Sequence, residues 1–189
     1  MANLVLVRHT ESEWNKKGLW TGLIDIPLSE KGFADAKKVS QFLKNFSFNI
    51  AYTSPLLRAK QTLETIKQSL GWTGLLTVKD KALNERDYGD YTGTNKLEKE
   101  KEIGKEEAES LRREWDYPIP NGETLKMVYE RAIPFLKQEV LPVLRNGENV
   151  LIVSHGNTIR SLVKYIEKIS DEDIKEVEMP FNEVFIYNL

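Results

Sequence analysis

Two histidines stand in the same setting in this chain. His9 follows the aliphatic run Leu4-Val5-Leu6-Val7 and Arg8, and His155 follows Val150-Leu151-Ile152-Val153 and Ser154. Short, non-alternating aliphatic runs read as strands buried on both faces of a parallel sheet. Ligands of such sheets bind beyond the carboxyl ends of the strands. One histidine there is ordinary structure; two on neighbouring strands would bring two imidazoles to one crevice. Arg8 precedes the first of them. Arg58 stands in the first turn of an expected helix, where a cation opposes the helix dipole. Its helical neighbours Ser54, Gln61 and Thr62 offer no carboxylate. It suits an anion held between it and the helix end, or it is a surface arginine chosen for helix propensity. Arg8, His9, Arg58 and His155 could together enclose a phosphoryl group.

Phosphoryl transfer needs positive charge spread over the equatorial oxygens and an in-line nucleophile. Neutral imidazole can be that nucleophile near pH 7. The leaving oxygen needs a proton, and Glu85, in the loop Ala82-Leu83-Asn84-Glu85-Arg86-Asp87-Tyr88-Gly89, is the candidate donor. Holding that proton at neutral pH requires burial or a bound anion to outweigh Arg86 next door.

Other chemistries find little support. There is no cysteine, so disulfides, thiolate metal sites and cysteine nucleophiles are excluded. There is no H-E-x-x-H, G-x-x-x-x-G-K-[ST] or G-x-G-x-x-G pattern, and no metal is expected. With 27 Lys+Arg against 29 Asp+Glu the net charge is -2, which argues against a nucleic-acid partner. No apolar stretch approaches a membrane span or a secretory leader, so no membrane partner and a cytoplasmic location are expected.

The elements that must position these residues alternate along the chain. Further strands are expected at 75–78 and 184–187, with a weaker one at 50–53. One helix follows Ser29 as N-cap, with Phe33, Ala36, Val39 and Leu43 inward. A second opens on Ser54 as N-cap and Pro55 as first helical residue. A third, 125–136, should bend at Pro134. A fourth carries Ile159, Leu162, Val163 and Ile166. This is an α/β, three-layer α/β/α architecture with a mostly parallel central sheet. The 189 residues suit one domain. A Lys/Glu-rich segment near 90–122 has a lid-like character, with its charges between 97 and 114 expected to form i,i+4 pairs on a solvated helix.

Three motifs resemble those of the histidine phosphatase superfamily, also called phosphoglycerate mutase-like. They are Leu6-Val7-Arg8-His9-Thr10-Glu11-Ser12-Glu13-Trp14-Asn15, Thr53-Ser54-Pro55-Leu56-Leu57-Arg58-Ala59-Lys60-Gln61-Thr62 and Ser154-His155-Gly156-Asn157. Thr21-Gly22, Leu28-Ser29-Glu30-Lys31-Gly32, Leu83 to Gly89 with Lys96, and Arg112-Arg113-Glu114 are similar to the cofactor-dependent phosphoglycerate mutase branch. The resemblance implies interconversion of 3- and 2-phosphoglycerate, with 2,3-bisphosphoglycerate as phosphoryl donor. The alternatives are a phosphatase acting on a small phosphomonoester, and a binding protein without turnover. It further implies that His9 becomes phosphorylated, that Arg8, Arg58 and His155 hold the oxygens, and that Glu85 moves the proton. Asn15, Thr21, Gly22, Arg86, Tyr88, Lys96, Arg112, Arg113 and Asn157 would bind a small phosphorylated carboxylate. Glu109, four residues before Arg113, offers that arginine a local partner instead. A monomer or homodimer is implied.

Three departures from the branch bear on function. Thr10 replaces the usual glycine and is expected to narrow the approach to the phosphoryl group. The segment between Arg113 and Glu123 is short, and the chain stops at Leu189 without a long tail. A shortened cover is expected to favour leakage to water.

Overall fold

The computed structural model describes residues 2–189. Five strands form one sheet: β1 (Asn3–Arg8), β2 (Ile50–Thr53), β3 (Leu76–Lys79), β4 (Val150–Ser154) and β5 (Val184–Asn188), in the order β3-β2-β4-β1-β5. Four strands run parallel, and β5 pairs antiparallel with β1 at one edge. The helices are α1 (Glu13–Lys16), α2 (Glu30–Leu43), α3 (Leu57–Leu70), α4 (Lys96–Ile103), α5 (Lys105–Arg113), α6 (Leu125–Phe135), α7 (Leu141–Arg145) and α8 (Gly156–Glu167). None of them is long and apolar enough to cross a membrane.

The aliphatic runs divide their side chains between two cores, because successive strand residues point to opposite faces. Leu4, Leu6, Val150, Ile152 and Tyr52 pack on α6 and α8 through Ala132, Ile133, Ile159 and Leu162. Val5, Val7, Ala51, Leu151 and Val153 pack on α2 and α3 through Val39, Leu43, Leu63 and Ile66. The central strands are therefore apolar throughout, as the sequence pattern required, and helices cover both sheet faces.

Helix starts follow local chemistry in most places. Ser29 Oγ accepts from the Gly32 amide at 3.0 Å, as expected of an N-cap. The start of α3 differs: its N-cap is Leu56, so Pro55 lies outside the helix, and Ser54 is turned to another use. Pro134 stays inside α6, and a π-helical turn, Leu136–Val140, follows it. Proline has no N–H for the helical ladder, and the wider turn absorbs the irregularity.

The charged segment forms two short helices parted by Gly104 at φ 89°. Among the described residues no i,i+4 ion pair forms within 97–114; the pairs are Lys99–Glu102 at 2.7 Å and Arg112–Glu100 at 3.5 Å. Pairs on an exposed helix gain too little to fix their spacing. Trp20, Tyr88, Leu111 and Ile119 make a small separate core that seats this segment on the rim of the sheet.

Candidate active site

The register of the sheet creates the site. Arg8 pairs with Ser154 across β1 and β4, and the His9 amide donates to the Ser154 carbonyl at 2.8 Å. The next residues, His9 and His155, therefore leave adjacent strand ends together. Their ring centroids lie 5.0 Å apart at 61°, edge to face. Both are buried.

The tautomer of His9 is set by its neighbour. Its Nδ1 lies 2.7 Å from the Thr10 carbonyl, which can only accept. Nδ1 therefore carries the hydrogen, and the lone pair sits on Nε2. Burial first, and the Arg58 charge second, hold both imidazoles well below the ordinary histidine range. The His9 imidazole is thus held neutral at physiological pH, with its Nε2 lone pair free. His155 Nε2 lies 2.6 Å from Ser54 Oγ, the residue expected to cap α3. His155 Nδ1 is buried without a protein partner.

The cations are positioned from below. Arg58 donates to the carbonyls of Gly22 at 2.8 Å and Ile24 at 2.9 Å. Gly22 adopts φ 53°, a backbone conformation that glycine reaches without strain. Arg8 donates to the Met179 carbonyl, and its guanidinium stacks 3.7 Å from the Phe181 ring centroid. Arg8, Arg58, Arg112 and Arg160 each keep a buried Nε with no protein acceptor, and Thr21 Oγ1 is buried in the same condition. Unpaired buried donors are costly unless an acceptor joins them, and here all of them belong to residues that line one cavity.

That cavity has a volume of about 230 Å³. Arg8, His9, Asn15, Thr21, Gly22, Arg58, Glu85, Tyr88, Lys96, Arg112, Arg113 and Asn157 all line it. Asn15 Oδ1 accepts from the Ser12 amide at 3.1 Å, which leaves its amide nitrogen as the end available to an anion. Lys96 is brought down to about 8 by burial and the charges of Arg8 and Arg112.

Glu85 faces the imidazoles because its loop is held at four successive carbonyls. Arg131 Nη1 donates to Ala82 O at 2.8 Å, and Ser154 Oγ to Leu83 O at 2.8 Å. Thr158 Oγ1 donates to Asn84 O at 2.5 Å, and Arg131 Nη2 to Glu85 O at 3.0 Å. The Glu85 carboxylate accepts from Asn157 Nδ2 at 3.2 Å, and that amide also reaches the Tyr88 hydroxyl at 2.8 Å. His9, Glu85 and His155 bring donor atoms within 4.8 Å of one another. The guanidinium groups alongside suit an anion there better than a cation.

Several expectations change. Arg86 is fully buried and does not line the cavity; it donates to the carbonyls of Glu123 at 2.7 Å and Leu111 at 3.1 Å. It braces the structure behind the cavity, and its guanidinium is directed to those carbonyls rather than to the Glu85 carboxylate. Thr10 is also buried off the cavity, its hydroxyl donating to Gly32 O at 2.8 Å, so it does not narrow the approach. Arg113 pairs with Glu178 rather than with Glu109. His155 stands behind His9 and not on the cavity surface.

Sequence reasoning passed over Trp20, Arg160, Glu178 and Met179, which with Gly156 complete the lining. Arg160 was findable: it lies three residues after Asn157, on the same face of α8. Glu178 and Met179 carried no local signal.

Paired imidazoles inside a ring of cations, at the carboxyl ends of a parallel α/β sheet, define a protein that handles a phosphate-type anion. The chain belongs to the histidine phosphatase superfamily (branch 1), whose sequence model matches residues 4–188. A protein of Nitrobacter hamburgensis named 2,3-bisphosphoglycerate-dependent phosphoglycerate mutase is 47% identical over 188 residues, covering 98% of this chain and 91% of its own. A protein of the same name from Rhodopseudomonas palustris is 46% identical with the same coverage. Among solved structures, YhfR of Bacillus stearothermophilus superposes with a TM-score of 0.83 at 28% identity, covering 98% of this chain and 90% of that one. A mycobacterial glucosyl-3-phosphoglycerate phosphatase in complex with VO3 reaches 0.86 at 23% identity, over 98% and 92%, and shares the fold.

Proposed function

We propose that this enzyme interconverts 3-phosphoglycerate and 2-phosphoglycerate with 2,3-bisphosphoglycerate as its primer, in cytoplasmic glycolysis and gluconeogenesis. One observation carries the reading. The cavity that holds Arg8, His9, Arg58 and Glu85 is also lined by four further cations, Lys96, Arg112, Arg113 and Arg160. A single phosphate needs only the first set. A ligand with a second anionic group at the far end uses both. The relatives named as mutases support the same assignment.

The unpaired buried Nε groups and Thr21 Oγ1 fit a polyanion with many acceptor oxygens. When bound, 2,3-bisphosphoglycerate supplies the phosphoryl group that loads His9. In transfer, His9 Nε2 attacks phosphorus as the P–O bond to the glycerate breaks. Arg8 and Arg58, which line the cavity, spread the charge of the equatorial oxygens, with His155 behind His9. Glu85 gives its proton to the departing oxygen and recovers one from the hydroxyl that attacks next. Lys96, Arg112 and Arg113 hold the far end of the glycerate while its two hydroxyl positions exchange places before His9. Trp20 and Tyr88 line the cavity and the Phe181 ring lies 6.1 Å from that of His9, aromatic surface that would limit water at a phosphorylated ring.

An enolase-coupled assay on 3-phosphoglycerate, with and without 2,3-bisphosphoglycerate, tests this. Isomerisation that requires the primer, and is lost in His9→Ala with its acid-labile phosphoenzyme, is the expected result. Release of inorganic phosphate without isomerisation refutes the mutase assignment and leaves a phosphatase.

A further inference from the structure

We infer that Glu178 is an internal competitor for the far anion position of the cavity, and so sets the preference between ligands carrying one anionic group and ligands carrying two. The inference rests on the mutase reading only in the choice of ligands.

Glu178 is an acid among the cations that line the cavity. Its carboxylate accepts from Arg113 Nη2. Among the described residues, Arg113 is otherwise tied only through Nη1, to the Lys175 carbonyl at 3.1 Å. Charges on Arg8 and Arg160 also feel the Glu178 carboxylate. The adjacent residue, Met179, engages the near end by accepting from Arg8. One short segment therefore bonds both Arg113 and Arg8.

The pair is easily broken. The Glu178 side chain is 66% exposed and that of Arg113 32%, so water stands ready to solvate both partners. A carboxylate or second phosphate arriving at Arg113 meets the same donors that Glu178 now uses, and like charges cannot share them. Glu178 must swing out toward the neighbouring groove. That groove, which Arg113 and Glu178 already line from one side, carries Glu106, Glu109, Glu114 and Glu176 against Lys175 as its other cation. Displacement into an acidic surrounding adds to the cost of binding a second anion. A lone phosphate at His9 leaves the Arg113–Glu178 pair in place and pays none of it.

The experiment is calorimetric titration of the folded full chain with 2,3-bisphosphoglycerate, 3-phosphoglycerate and orthovanadate. Wild type, Glu178→Gln and Glu176→Gln are compared at two ionic strengths. Glu176 lines the outer groove but not the cavity, and so controls for the general field. Glu178→Gln should bind both glycerate ligands roughly three- to tenfold more tightly, an effect shrinking with salt. Its orthovanadate affinity should stay within about twofold. Weaker or unchanged glycerate binding would mean that Glu178 orients Arg113 or does nothing, and overturns the inference. An equal gain in Glu176→Gln, or an equal gain for orthovanadate, also overturns it. Wild-type binding of 2,3-bisphosphoglycerate no tighter than orthovanadate counts against the mutase reading alone. Even then, a gain in Glu178→Gln supports the competition and its absence refutes it.

Discussion

Arg131 lies outside the cavity, yet the loop that carries Glu85 depends on it. Its guanidinium donates to Glu123 Oε1 at 2.8 Å and Oε2 at 3.0 Å, and to the carbonyls of Ala82 and Glu85. Glu123 Oε2 also accepts from the Asp87 amide at 3.0 Å, and the Glu123 amide donates to Asp87 O at 2.9 Å. The two side chains are 24% and 21% exposed. Breaking a fully buried pair of this kind costs about 3–5 kcal/mol. The partial exposure here reduces that to about 2–4 kcal/mol. In a chain of this length Arg131→Met should lower Tm by about 5–15 °C. Freed on one side, the Glu85 backbone can shift by a fraction of an ångström, and misplacement of that order costs about 10- to 100-fold in rate. The loss should fall on kcat, with KM nearly constant, because neither Arg131 nor Glu123 lines the cavity. Glu123→Gln, which keeps an acceptor for Asp87, should show the same pattern in milder form. The assay is steady-state kinetics well below each variant's melting temperature, paired with calorimetric melting. A variant that melts early but keeps its full kcat when folded would refute the bracing argument.

Two further outcomes follow from charge. His9 and His155 have native pKa values below their unfolded value of about 6.5. Below that pH the unfolded chain takes up protons that the native rings refuse, so stability is complete above about 6.5 and declines as pH falls toward the native values. The slope is about 1.4 kcal/mol per pH unit for each ring. Urea unfolding between pH 7.5 and 5.5 should show it, and a His9→Asn/His155→Asn double variant should flatten it; an unaltered slope would contradict the burial argument. Lys96, at about 8, loses its charge as pH rises through that value. Thus kcat/KM for 3-phosphoglycerate should fall on the alkaline side of about 8, and Lys96→Met should be lower throughout and lack that limb.

The strands were legible because their chemistry is local. The runs at 4–7 and 150–153 could be nothing but doubly buried strands, and the histidines following them marked the carboxyl ends. The start of α3 was misplaced because Ser54 has two uses, as a helix cap or as a partner for a buried imidazole. Only the presence of His155, 101 residues later, decides between them. Arg86 and Arg113 looked alike in sequence as spare cations. Packing made the first a brace for Glu123 and Leu111 and left the second on the cavity wall.

The sequence by itself determined which groups are present, which strands carry them and which strand ends they occupy, since periodicity and neighbouring residues suffice for that. The tertiary structure decided which cations share a cavity, which nitrogen of His9 holds the lone pair and which acid enters the far end. Those outcomes depend on contacts between residues up to 171 positions apart, as in Arg8 and Met179. No local pattern encodes such contacts, because they exist only once the sheet register and the packing of the helices on it bring the partners together.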